Sequence, residues 1–172
     1  MMHVLVTGGP GSGTSTLAEV LANRLSAAWI EADDYYWKPS NPPFRYKYDA
    51  PERADRLLQA LGKTQQAVVA GSVMGWGDAI EAAFDRIIFL YTDTATRMVR
   101  LRAREQSRYG GARPGFLEWA AGYDAGERPG RSLARHQAWL AQRAVPVLRL
   151  DSASELGELT AQALSFCDPR TK

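Results

Sequence analysis

The stretch that decides the fold is Gly8-Gly9-Pro10-Gly11-Ser12-Gly13-Thr14-Ser15. It lies between a short apolar run, His3 to Thr7, and a segment, Ser15 to Ser26, in which Leu17, Val20, Leu21 and Leu25 recur at helical spacing. A strand, a glycine-rich turn and a helix in that order form an anion cradle. Glycine permits positive φ, so successive backbone N–H groups can point inward at an oxyanion, and the helix N-terminus adds its dipole.

Outward from this loop the same alternation continues to the end of the chain. Strands are expected at Trp29 to Ala32, Ala67 to Ala70, Arg86 to Tyr91 and Val145 to Leu150. Helices are expected over Pro51 to Leu61, Asp78 to Phe84, Thr94 to Arg108, Gly115 to Tyr123, Ser132 to Arg143 and Ser154 to Cys167. This is the α/β class: a five-stranded parallel sheet between two helical layers. Two stretches break the pattern. Lys38 to Tyr48 is rich in proline and aromatic residues, and Gly110 to Gly130 holds six glycines in 21 residues. Both are read as mobile covers over a site.

Composition bounds the function. The 172 residues suit one domain spanning 1–172, and 45% apolar with 23% charged residues is globular rather than disordered. A net charge of +2 is too balanced for coating nucleic acid, so an anionic partner must be met locally. Only four of the 21 basic residues are lysine (Lys38, Lys47, Lys63, Lys172), which makes arginine the gripping residue. The lone Cys167 points to a reducing compartment, and no long apolar run follows Met1. A soluble, cytoplasmic monomer or homodimer without nucleic-acid or membrane partners is expected. His3 and His136 have no partners at zinc spacing.

The loop fits the pattern G-x-x-x-x-G-K-[ST] at every position but one: Thr14 stands where the lysine would reach the β- and γ-phosphates. Ser15 keeps the hydroxyl position that holds Mg²⁺. On these residues the chain resembles, over nearly its whole length, the P-loop NTPases of the small-molecule kinase group, both adenylate kinase-like and uridine kinase-like. That resemblance implies a three-layer α/β/α fold with a helical lid at about 109–131 and an acceptor-side segment at about 34–61. It also implies ATP and Mg²⁺ as cofactors, with Gly8, Gly9, Pro10, Gly11, Ser12, Gly13, Thr14 and Ser15 around the phosphates.

Asp33-Asp34-Tyr35-Tyr36-Trp37 follows the second strand, so both carboxylates emerge at the carboxyl edge of the sheet, beside the loop. Phosphoryl transfer to a hydroxyl needs a carboxylate to take its proton, and Mg²⁺ needs oxygen ligands in the same pocket. The segment is similar to the acidic-aromatic stretch after this strand in nucleoside kinases, which implies Asp33 as base, with Asp33 or Asp34 beside Ser15 at the metal. An aspartate pair also serves simply to shape a turn. Tyr35, Tyr36 and Trp37 can stack a planar acceptor or pack a loop. Tyr48-Asp49-Ala50-Pro51-Glu52 resembles the stretch opening the acceptor-side helix of uridine kinase-like proteins. Asp49 is therefore either an acceptor contact or a helix cap. Arg45, Arg53 and Arg56 are candidates for an acceptor phosphate, or surface residues. After the third strand comes Ala70-Gly71-Ser72, with no acidic residue where such proteins usually carry one. Trp76 backs the substrate side, and Asp78 is either a helix cap or, like Asp33 or Asp34, a residue that takes over the metal's outer shell.

Arg97, Arg100, Arg102, Arg104 and Arg108 face one acid, Glu105, along a single expected helix. Arg97, Arg100 and Arg104 share a face, as do Arg104 and Arg108. Arg100, Arg104 and Arg108 are the candidates for replacing the absent lysine at the transferred phosphoryl group, with Arg131 swinging in from the lid. Arg149-Leu150-Asp151-Ser152 resembles the adenine-side loop of nucleotide kinases, and its Asp151 equally caps the final helix. The function expected is ATP-dependent phosphoryl transfer to a small-molecule acceptor such as a nucleoside or nucleotide. The alternatives are a nucleotide-binding module or weak NTPase without acceptor transfer, and a metal-independent sulfotransferase-like enzyme.

Overall fold

The apolar run after Met1 forms β1 (Met2–Gly8), in which His3 to Gly8 are all buried. Burial on both faces is what a central parallel strand requires. The computed structural model describes residues 1–126, 128–168 and 170; Lys172 and lid position Glu127 lie outside the described residues. Beyond β1 the chain runs α1 (Thr14–Leu25), β2 (Ala28–Glu31), α2 (Asp33–Tyr36), β3 (Trp37–Lys38), β4 (Tyr46–Lys47), α3 (Ala50–Leu61), β5 (Gln66–Ala70) and α4 (Asp78–Glu81). It continues with β6 (Arg86–Tyr91), α5 (Thr94–Tyr109), α6 (Phe116–Ala121), α7 (Leu133–Ala141), β7 (Val147–Asp151) and α8 (Leu156–Cys167).

The five long strands form one parallel sheet in the order β2-β5-β1-β6-β7. Side chains alternate across it with a period of two. Leu5, Val69, Ile87 and Phe89 face Leu57 and Leu61 of α3, Ile80 of α4 and Trp139 and Leu140 of α7. Val4, Val6, Val68, Ile88 and Leu90 face Leu17 and Leu21 of α1 and Leu159 and Ala163 of α8. Each such buried aliphatic side chain contributes roughly 1.5–3 kcal/mol by leaving water. A small third cluster joins Met98 and Leu101 of α5 to Ala120 of α6.

Local chemistry sets the element ends. Asp49 caps α3 by accepting from the Glu52 N–H (2.8 Å), with Pro51 in its first turn. Asp93 caps α5 through the Thr96 N–H (2.9 Å), and Gly110, at φ 70°, ends it.

All five expected sheet strands are present, and three details differ from expectation. The stretch from Asp33 opens with one helical turn rather than a loop. Ala32 N–H donates to Ala70 O (2.8 Å), ending the sheet ladder, while Ala32 O accepts from Tyr35 and Tyr36 N–H (3.0 and 3.1 Å). The segment expected to be irregular carries a two-stranded ribbon, Trp37 opposite Lys47 and Lys38 opposite Tyr46. Gly77, at φ 118°, precedes α4, so Asp78 lies inside the first turn and caps nothing. No helix among the described residues is long and apolar enough to cross a membrane.

Candidate functional site

At the carboxyl end of β1 the glycine loop turns into α1, closed by Ser12 N–H to Gly9 O (3.1 Å). Two glycines explain its composition. A Cβ on Gly9 would lie 2.8 Å from the Tyr123 ring, whereas at Gly13 (φ 90°) nothing lies within 4 Å and the concave side is open. The loop is fastened from behind. Arg97, fully buried, donates from Nη1 to Pro10 O and Ala120 O (both 3.1 Å) and from Nη2 to Asp124 Oδ1 (2.9 Å). Next to it His136 bridges Thr7 Oγ1 and the Tyr123 hydroxyl, each at 3.0 Å. Burial, then the Arg131 charge, lowers the His136 pKa to about 3, so the ring is neutral, and burial raises that of Tyr123.

In front of the loop opens a cavity of about 850 Å³. One end is the glycine loop with Thr14 and Ser15. Beside it stand Glu31 and Asp33 from the end of β2. Ser15 Oγ donates to Glu31 Oε2 (3.1 Å), while Glu31 Oε1 is buried without a partner. Burial raises the Glu31 pKa, opposed by the Ser15 hydrogen bond and reinforced by Asp33 and Asp34. The far end is aromatic and cationic: Tyr36, Trp37, Phe44 and Trp76 with Lys47 and Arg53, closed by Arg113, Phe116, Trp119 and Arg131.

Of the residues singled out in the sequence, the structure brings together Gly8 to Gly11, Thr14, Ser15, Asp33, Tyr36, Trp37, Arg53, Trp76, Arg104 and Arg131 around this cavity, while Arg45 and Arg56 do not line it. Ser12 is buried within the loop. The α2 turn carries Asp34 out to solvent and packs Tyr35 on the core. Asp49 is the α3 cap, and Asp151 accepts from Ala153 N–H (2.9 Å) in a turn.

The four arginines of the α5 face do not act as one group. Arg97 is buried behind the loop. Arg100 donates to Ser152 Oγ and O (3.0 and 2.8 Å), holding the loop after β7. Arg104 reaches the cavity while pairing with Glu105 (2.8 Å). Arg108 is exposed and does not line this cavity.

The sequence reading passed over Glu31 and Arg113. Glu31 carries a signal, an acid at the carboxyl end of a strand next to the loop, the criterion that selected Asp33. Glu81 was passed over as well. It accepts from Gly75 N–H (2.7 Å), Trp139 Nε1 (2.6 Å) and Arg143 (3.1 Å), fixing the loop that carries Trp76.

Residues 4–115 match the AAA domain family. The chain is 35% identical to the uncharacterized protein YqaC of Bacillus subtilis (strain 168), over 96% of each chain. It is 28% identical to cytidylate kinase of Archaeoglobus fulgidus, over 60% of this chain and 62% of the relative. Deoxyadenosine kinase from M. mycoides superposes with a TM-score of 0.62 at 12% identity, covering 96% of this chain and 98% of the other. The chain belongs to the AAA domain family and has the fold of the P-loop small-molecule kinases.

Proposed function

We propose that the protein is a phosphotransferase that moves the γ-phosphoryl group of ATP to a hydroxyl of a small-molecule acceptor. The observation that carries this reading is one cavity lined both by the glycine loop, Ser15 and Glu31 and by an aromatic and cationic chamber, with Asp33 in the lining they share. Donor and acceptor can meet there without crossing solvent. The likeness to a cytidylate kinase and a deoxyadenosine kinase supports it.

The loop N–H groups and the α1 N-terminus take the donor phosphates. Asp33 orients the acceptor hydroxyl and takes its proton as the bond to phosphorus forms. Arg104 supplies positive charge that Thr14 does not. The residues fit Mg²⁺: the Ser15 hydroxyl and the partnerless buried oxygen of Glu31 are the donors that would hold it. When bound, the ion supplies charge neutralisation on the phosphate oxygens. The Gly110–Gly130 segment acts as the lid, rooted by Arg97 and Asp124. The buried Cys167 thiol, its pKa pushed up to about 11 by burial, is unreactive.

The test is ADP release from ATP and Mg²⁺ across a panel of nucleosides, nucleotides and sugar acids. Release that depends on one acceptor supports transfer. Slow release indifferent to every acceptor favours the second reading, a weak NTPase, which the lack of an acid after β5 and of the loop lysine motivates.

A further inference from the structure

The acceptor end of the cavity contains more positive charge than its surroundings neutralise. Arg53 of α3 lies with its guanidinium 4.4 Å from the Tyr36 ring centre and 5.2 Å from that of Trp76. Arg113 lies 4.5 Å from Phe44, 5.0 Å from Phe116 and 5.5 Å from Trp37. Lys47 sits between them, 5.5 Å from both Tyr36 and Trp37. None of the three forms an ion pair among the described residues. The Nε atoms of Arg53 and Arg113 are buried with no hydrogen-bond partner.

Two consequences follow from the chemistry of these groups. The cations are held against the aromatic rings, whose quadrupoles attract positive charge. A guanidinium resting against a ring keeps its donors at its edge, in the fork that matches a carboxylate or phosphate in two-point fashion. A buried N–H without a partner is costly, and an oxyanion is the group that relieves it at a cation. Among the described residues that line the cavity the acids are Glu31, hydrogen-bonded to Ser15 beside the glycine loop, and Asp33, and neither is ion-paired with Arg53, Arg113 or Lys47. We infer that the acceptor carries an anionic group, a phosphate or a carboxylate, in addition to the hydroxyl that is phosphorylated, and that Arg53 and Arg113 select for it. The inference rests on the kinase reading only for calling this chamber the acceptor site.

The test is calorimetric titration of the whole protein with matched pairs: cytidine 5'-monophosphate against cytidine for a phosphate, gluconate against glucose for a carboxylate. The anionic member of at least one pair is expected to bind about tenfold or more tighter than its neutral counterpart. The pair that shows the preference identifies the source of the anion. Arg53→Gln should erase most of the preference and Arg53→Lys should retain part of it, both with the Mg²⁺·ATP shift in thermal midpoint intact as the check on folding. Equal binding of neutral and anionic members, failure of both anions, or a full preference in Arg53→Gln would overturn the inference. Loss of the ATP shift in the wild-type protein with the anion preference intact would sink the kinase reading and leave this one standing.

Discussion

Ser15 Oγ donates to Glu31 Oε2 across 3.1 Å, joining the first turn of α1 to the end of β2 at the mouth of the glycine loop. The pair converts two separate strand-to-helix connections into one site. It also places an oxygen cluster beside a loop that lacks the lysine and near a strand that lacks the acid.

Glu31 has a raised pKa, so between its unfolded and folded values the native state holds the extra proton and this residue lowers stability as pH rises through that interval. Glu31→Gln is therefore expected to raise the thermal midpoint of the ligand-free protein at neutral pH while weakening Mg²⁺-dependent ATP binding. Scanning calorimetry with and without Mg²⁺·ATP reads both, and a lower ligand-free midpoint would contradict the assignment.

Asp33→Asn removes the proposed base and leaves the phosphate loop untouched. Acceptor-dependent turnover should fall by about 10²–10⁴-fold with ATP affinity changed little. Full turnover in that variant would release Asp33 from its role.

The α5 arginines separate by location. Arg104→Ala should reduce turnover by tenfold or more, in the order of one lost transition-state charge contact, whereas exposed Arg108→Ala should leave it within about twofold. Steady-state rates at saturating ATP compare them directly, and equal losses would mean that the helix face acts as a unit after all.

Arg97→Met removes the guanidinium that ties Pro10, Ala120 and Asp124 together. Because Asp124 is a quarter exposed, the cost should fall at the low end of the roughly 3–5 kcal/mol for a broken buried pair. Urea unfolding measures it, and Asp124→Asn in the same background should add little, since the pair is already broken.

His136 has its pKa lowered from 6.5 to about 3. Between those values the unfolded chain binds the proton and the native chain does not, so stability is full above about 6.5 and is lost as pH falls toward 3. A His136→Gln variant should show a shallower loss of midpoint between pH 6.5 and 4 than the wild type.

The sheet was legible because each strand is a short apolar run ended by glycine, aspartate or serine, whereas the uniformly apolar Val4, Leu5 and Val6 do not say which helices each face meets. The loop was legible for the same reason: glycine spacing between strand and helix is a local property. Direction around a short turn is not local. Asp33 and Asp34 are equivalent in sequence, and only the α2 turn sends one to the cavity and the other to solvent. Helical spacing likewise grouped Arg97 with Arg100 and Arg104 but carries no information on whether a guanidinium points at the ligand side of the loop or behind it. His136 was silent because its partners, Thr7 and Tyr123, lie 129 and 13 residues away. Arg113 sits among glycines in the Gly110–Gly130 segment, and two of its three aromatic partners, Trp37 and Phe44, come from a distant part of the chain.

The measurement that bears most directly on the central claim is the thermal midpoint of the wild-type protein with ATP, with and without Mg²⁺. Ligand bound at a hundred times its dissociation constant stabilises by about 2.7 kcal/mol, a shift of several degrees. A Mg²⁺-dependent rise with ATP is expected, because the proposed donor site is built from the glycine loop, Ser15 and Glu31 despite Thr14. No rise with ATP under either condition would contradict the account.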